Sequence, residues 1–395
     1  MEQKKLMILG ASQLQLPAII KAKEIGLRTI VVDMNKNAVG VKYADEFHEI
    51  STIDIEGIFN KAIELHIDGI MTLASDMPMR AVAIVGERLG LNTINYETAI
   101  RATDKARMRE RLLSYSVPIP FFSSVRTYED FERAINFFQG DLIIKPADNS
   151  GSRGVQLLQN RDELGKLYEY SKSFSRTGEI VVEEYMRGPE VSVETITICG
   201  ITHVIAITDK LTSGAPYFVE MGHSIPSLLS NDVKKNIEDV TKSAISAIGI
   251  DNSPAHTEVI VTDKGAKIVE LGARLGGDNI TASLVPLATG VDMVGACIDL
   301  AIGNRPNINQ KFSRGSAIRY FNSKEGILSG IKGVDEASKN VGIHEIIISR
   351  SIGDKINKMS SSIDRIGYVI AEAESVKKAI DICHRAIEEI KISVD

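Results

Sequence analysis

The stretch His256–Asn279, HTEVIVTDKGAKIVELGARLGGDN, decides how the rest of the chain is read. Two apolar runs flank Asp263-Lys264-Gly265, a turn sequence, so the segment reads as a hairpin with Glu258 on one arm and Glu270 on the other. A glutamate among apolar strand residues is costly to bury unless it is paired or binds a cation. Across a tight turn the two carboxylates can face each other, which suits Mg2+ held by protein carboxylates together with phosphate oxygens. Arg274 follows four residues after Glu270, and Gly276-Gly277 reads as the opening of a helix whose N-terminus attracts a carboxylate or phosphate. A hairpin merely salt-bridged through Lys264 or Lys267 would explain neither the acidic pair nor the glycines.

Two upstream segments point the same way. In Ile143–Val155, IIKPADNSGSRGV, a lysine ends an apolar strand and a small, polar loop follows. Backbone N–H groups from Ser150 to Gly154, including Gly151 and Ser152, could wrap an anion as a closing flap, with Lys145 as a fixed charge beneath it. The order differs from a P-loop, whose lysine follows its glycines, and an ordinary hairpin turn with a chance lysine has the same residues. In Ile180–Ile196, IVVEEYMRGPEVSVETI, a strand runs to Glu183 and a connector leads to a second strand. The connector offers backbone groups to a purine edge, and Glu190 could accept from both ribose hydroxyls, although any hairpin could look so.

The first hundred residues alternate apolar strands (Lys5–Leu9, Thr29–Asp33, Gly69–Leu73) with helical patterns (Leu16–Ile25, Ile55–Leu65, Met79–Leu89), the signature of a parallel sheet covered on both faces. Gly10 and Asp33 suit a dinucleotide site, but Ser12 and Gln15 stand where the second and third glycines of GxGxxG belong. Asp76, at the end of the third strand, is a candidate substrate contact or an ordinary turn residue. The texture changes near Thr103 and again after Asn304-Arg305-Pro306. The sequence thus divides into residues 1–104, a parallel α/β domain, residues 105–304, and residues 305–395, an α+β section ending in an amphipathic helix Val376–Ile390.

The chain has 395 residues, enough for two or three domains, with a formal net charge of -6 that argues against a general nucleic-acid binder. Cys199, Cys297 and Cys383 form no CxxC pair and read as core thiols. No apolar run reaches the length of a membrane span, so a cytoplasmic protein with no membrane partner is expected.

Lys105, the Lys145 loop, the Glu183–Glu190 segment and the Glu258/Glu270 hairpin occur in the order and spacing of the ATP-grasp superfamily, and the chain resembles its L-amino acid ligases of the bacilysin-synthetase type. The resemblance implies a pre-ATP-grasp domain, an ATP-grasp domain and a C-terminal ligase domain. It also implies ATP and Mg2+, with Mn2+ as a substitute, as cofactors, and small-molecule carboxylate and amine substrates, with a homodimer as the plausible assembly. By position, Lys105 and Lys145 would hold phosphates; Glu183, Glu184, Tyr185 and Met186 would meet adenine and Glu190 the ribose. Glu258 and Glu270 would bind the metal, Arg274 would face the transferred phosphoryl group, and Gly276, Gly277 and Asp76 would face substrate. Lys210 and His223 lie in a segment that approaches phosphate or substrate in similar enzymes, although His223 could be a structural histidine. His256 would orient Glu258. Many members have asparagine two residues after the second metal glutamate, where this chain has Gly272. The expected activity is ATP-dependent carboxylate–amine ligation; joining an amino acid to a sugar amine, or ATP binding without turnover, are the alternatives.

Overall fold

A computed structural model describes residues 3–149, 151, 153–158, 161–322 and 324–395. Ser150 and Ser152, two of the expected flap residues, lie outside them.

The N-terminal section is a four-stranded parallel sheet in the order Glu46–His48, Arg28–Val32, Lys5–Leu9, Gly69–Met71. Its apolar strands carry helices Leu16–Glu24, Ile55–Leu65 and Met79–Leu89 as the alternation predicts, while the short edge strand Glu46–His48 has no apolar run to announce it. The dinucleotide reading fails on packing. The Gln15 side chain donates to the Leu73 carbonyl at 2.6 Å, and Asp33 accepts from the Ala11 N–H at 2.8 Å, so the strand ends are closed by the chain itself.

A small antiparallel sheet follows, in the order Phe122–Val125, Ile180–Glu184, Leu142–Pro146, Gln156–Leu158. The Lys145 loop therefore does join two paired strands. The Glu183–Glu190 segment is not a hairpin: Ile180–Glu184 ends the small sheet, and Glu190–Ile198 begins the large one. The intervening residues cross from one half to the other.

The large sheet has eight strands in the order Gly265–Gly272, Ser253–Thr262, Glu190–Ile198, Ile201–Thr212, Glu220–Ile225, Gly315–Tyr320, Gly367–Ala373, Ile343–Ile348. It runs without a break past position 304, because Gly222–Ile225 pairs antiparallel with Ser316–Arg319. One apolar cluster likewise joins Leu6, Ile8 and Val31 of the first section to Val294 and Ile298 and to Ile318 and Ile370 of the last. Helix Val376–Glu389 covers the far end of the sheet through Ala379, Cys383 and Ala386.

Cys297 and Cys383 are buried, and burial pushes both thiols up to about 12. Cys199 departs from the core-thiol expectation: it is exposed, with φ +49°, at the turn between two strands. Among the described residues no single helix is long and apolar enough to cross a membrane.

Candidate functional site

Strand register places Glu258 and Glu270 opposite each other on adjacent arms, with a bulge directly after Glu258. Their side chains are 26% and 27% exposed, so they face a cleft instead of lying buried as the apolar flanks suggested. Asp104 caps helix Lys105–Ser114 by accepting from the N–H groups of Ala106 and Arg107. That cap sets Lys105 in the first turn, where Nζ donates to Glu270 Oε1 at 2.8 Å and to the Asn149 carbonyl, at the edge of the loop, at 2.6 Å.

On the other arm, Glu258 Oε1 lies 3.3 Å from Lys210 Nζ and 3.7 Å from His256 Nε2. Lys210 also reaches Glu190 Oε1 at 2.5 Å and Glu220 at 4.0 Å. Burial opposes the charge on Lys210, but Glu190, Glu258 and Glu220 outweigh it and hold the ammonium well above its usual range. His256 Nδ1 meets the fully buried Glu194 at 2.6 Å; burial would discharge the imidazole, yet Glu194 raises it to about 9. His256 thus stands beside Glu258 as a cation, and Glu190, Lys210, Glu258, His256 and Glu194 form one continuous chain of charge on three neighbouring strands.

Lys145 is buried at its strand end, 2.7 Å from Glu183 Oε2, and the other oxygen of Glu183 accepts from Arg109 Nε at 2.6 Å. Burial pushes the Glu183 carboxyl up, but Arg109 and Lys145 bring it down to about 2. With both oxygens committed and the residue 3% exposed, the Glu183 side chain fixes Lys145 instead of turning towards a base. Glu184 pairs with Lys267, and the Tyr185 N–H donates to the Asp141 carbonyl at 3.0 Å. Of the connector's other expected base contacts, Tyr185 and Met186 are half-buried. Gly154 anchors the loop's far end through its carbonyl, which accepts from Ser171 Oγ at 2.7 Å; Gly151 is exposed with open space around it.

Asp76 and Arg274 meet in a two-pronged ion pair, Nε–Oδ1 at 2.9 Å and Nη2–Oδ2 at 3.1 Å. Burial would raise the Asp76 carboxyl; Arg274 keeps it below its ordinary range. This pair explains Gly272: a Cβ there would sit 2.8 Å from Asp76 Oδ1 and 3.2 Å from Arg274 Nε. A Cβ on Gly276 would fall 2.7 Å from His256 Nδ1, so this glycine lets the backbone rest on the His256–Glu194 pair. Gly276-Gly277 does not open a regular helix. Asp278 and Asn279 follow with φ of +51° and +60°, and a π-helical turn begins only at Ile280, which removes the expected helix N-terminus from the glycines.

His223 is the direct cross-strand partner of Lys210. Its Nε2 lies 3.2 Å from Asp278 Oδ2, and Arg365 clasps both Asp278 oxygens at 2.9 and 2.7 Å while stacking 3.7 Å from the Tyr320 ring centroid. Ser360 and Ser361 spend their groups on Asp364 at the surface, and Arg365 alone turns inward.

Arg109, Glu194, Glu220 and Asp278 were not among the expected residues. Arg109 had a signal: with Lys105, Met108 and Leu112 it occupies the buried stripe of its helix, an odd place for an unpartnered charge. Glu194 carried one too, as an acidic residue at a strand position that alternates with apolar neighbours. The pairing of Asp278 with Arg365, separated by 87 residues, left no mark in either local sequence.

A cavity of about 340 Å³ lies between the N-terminal sheet, the loop and the hairpin, lined by Asp76, Arg80, Lys105, Asn149, Arg176 and Glu270. Among the described residues no group of three or more His, Cys, Asp and Glu side chains could hold a metal. Glu258 and Glu270 fit a hard cation that takes its remaining oxygens from phosphate and water, the usual situation for Mg2+ at a nucleotide.

Residues 138–282 match an ATP-grasp domain, and residues 319–395 match the L-amino acid ligase C-terminal domain 2. The alanine–anticapsin ligase of Bacillus subtilis is 28% identical over 66% of this chain and 59% of its own length. The crystal structure of phosphoribosylglycinamide synthetase from Anaerococcus prevotii, 25% identical, superposes with a TM-score of 0.81 over 100% of both chains. An L-amino acid ligase from Bacillus licheniformis, 21% identical, shares the fold at a TM-score of 0.86, again over 100% of both. The chain spans 59 to 62% of the length of the first curated relatives it matches. The chain thus carries an ATP-grasp domain over residues 138–282 and the C-terminal domain 2 of the L-amino acid ligases over residues 319–395.

Proposed function

We propose that the protein is an ATP-dependent ligase that joins a carboxylate to an amine through an acyl phosphate, releasing ADP and phosphate, with an amino acid as one substrate. The observation that carries this reading is the facing pair Glu258 and Glu270, flanked by Lys105 and Lys210, with Glu270, Lys105 and Asp76 lining the cavity. Glu258 and Glu270 would hold Mg2+, whose charge would offset that of the phosphates. Lys105 and Lys145 supply fixed positive charge on the same side, and Glu183 with Arg109 keeps Lys145 at its strand end. Ser150 to Gly154 would serve as the flap that excludes water, because an acyl phosphate left open would hydrolyse. Asp76 and Arg274 receive the substrate: the carboxylate takes a share of the guanidinium, and Asp76 attracts an ammonium group. Ligation by small-molecule substrates in the cytoplasm, with a homodimer as the assembly, completes the reading.

Purified protein given ATP, Mg2+ and pairs of amino acids is expected to release ADP and phosphate only with a matching pair; AMP release would refute the scheme. The whole-chain likeness to phosphoribosylglycinamide synthetase favours a second reading, in which the amine belongs to an amino sugar. Amino sugars in the same panel separate the two.

A further inference from the structure

Arg109 sits on the helix that carries Lys105, one turn further on, and only 1% of it is exposed. Its guanidinium joins three pieces of chain. Nε donates to Glu183 of the small sheet, Nη2 donates to the Val269 carbonyl at 2.6 Å, immediately before Glu270 of the large sheet, and Nη1 is buried without a hydrogen-bond partner. Lys105, Arg109 and Lys145 thus converge on Glu183 and Glu270, three cations on two carboxylates, all buried except Glu270, which faces the cleft. Without Arg109, Lys145 and Glu183 would form a neutral pair. With it, one oxygen of Glu183 is drawn off, and a net positive charge remains beneath the loop.

We propose that Arg109 is a positioning residue for nucleotide phosphates: it keeps Lys145 in place with its charge uncancelled, and it ties the small sheet to the acidic hairpin. The inference rests on the ATP-dependent reading above. A purely packing role would affect every ligand of the cleft alike, whereas this one acts only where phosphate charge is present.

The test compares ATP with adenosine, each with Mg2+, by calorimetric titration of the full chain and its variants. Arg109→Met is expected to weaken ATP by about tenfold or more while adenosine changes by about twofold or less, since a buried charged hydrogen-bond partner is lost only from the phosphate side. Arg109→Lys keeps the charge but not the reach to both Glu183 and Val269, and is expected to fall between. If Arg109→Met does not fold, Arg109→Lys carries the test alone and must weaken ATP more than adenosine. Equal losses for both ligands, or none for ATP, overturn the proposal. Wild-type protein that binds ATP no more tightly than adenosine would instead overturn the ligase reading on which it rests.

Discussion

Gly272 shows how one absent side chain can report on a contact far away in sequence. The space an asparagine would need is held by Asp76, from the N-terminal sheet, on its way to Arg274. Gly272→Ala is expected to cost about 1–3 kcal/mol of stability, the range for inserting an atom into a filled site. The loss should shrink when Asp76 is also changed to Ala, because the crowding partner is gone; thermal unfolding of the two singles and the double reads the coupling. Additive losses would show that the glycine is there for another reason. The hairpin glutamates were legible in the sequence because acidic residues in apolar strands stand out. The true partner of each was not, since Lys105 and Lys210 meet them from 165 and 48 residues away, and periodicity carries no information about such pairings.

At the scale of elements, helix Lys105–Ser114 and strand Ile180–Glu184 are joined by the buried charges Arg109 and Glu183, with Lys145 on the next strand. The Glu183 carboxyl is held at about 2, below the ordinary carboxylate range, so its ionisation favours the folded state above pH 4.5. That contribution, on the order of 3 kcal/mol, fades as pH falls from about 4.5 towards 2. Denaturant unfolding of the wild type should therefore lose stability across pH 4.5–2.5 more steeply than Glu183→Gln; parallel curves would mean that the ion pairs do not stabilise the fold. The elements themselves were largely visible beforehand, because runs such as KLMIL and EVSVETITI announce strands by their texture. Their grouping was not. Nothing in Ile180–Ile196 says that its two strands join different sheets, since sheet membership depends on distant partners.

Across the whole molecule, the eight-stranded sheet makes the last section part of the same body as the hairpin. A chain ending at residue 304 would expose the apolar edge of Glu220–Ile225, lose Arg365 from Asp278, and strip Ile318 and Ile370 from the central cluster. Such a truncation is expected to be aggregation-prone, with a melting temperature lower by about 10 °C or more, since several buried aliphatic side chains each contribute 1.5–3 kcal/mol. A soluble fragment with an unchanged melting temperature would show that the shared sheet is incidental. The tripartite texture of the sequence was readable from composition shifts, but continuity across position 304 rests on backbone pairing, to which the composition of the joining segment is blind.

That shared slab also fixes a ruler. From the strand bearing Glu258 to the one bearing Tyr320 there are four strand-to-strand steps, about 19 Å at ordinary spacing. Those two strands are held at that spacing by the ladder between them, and Arg365 reaches back across part of it to the Glu220 carbonyl at 3.2 Å. Substitutions around residues 360–365 can retune one end of the groove while the other end retains its geometry.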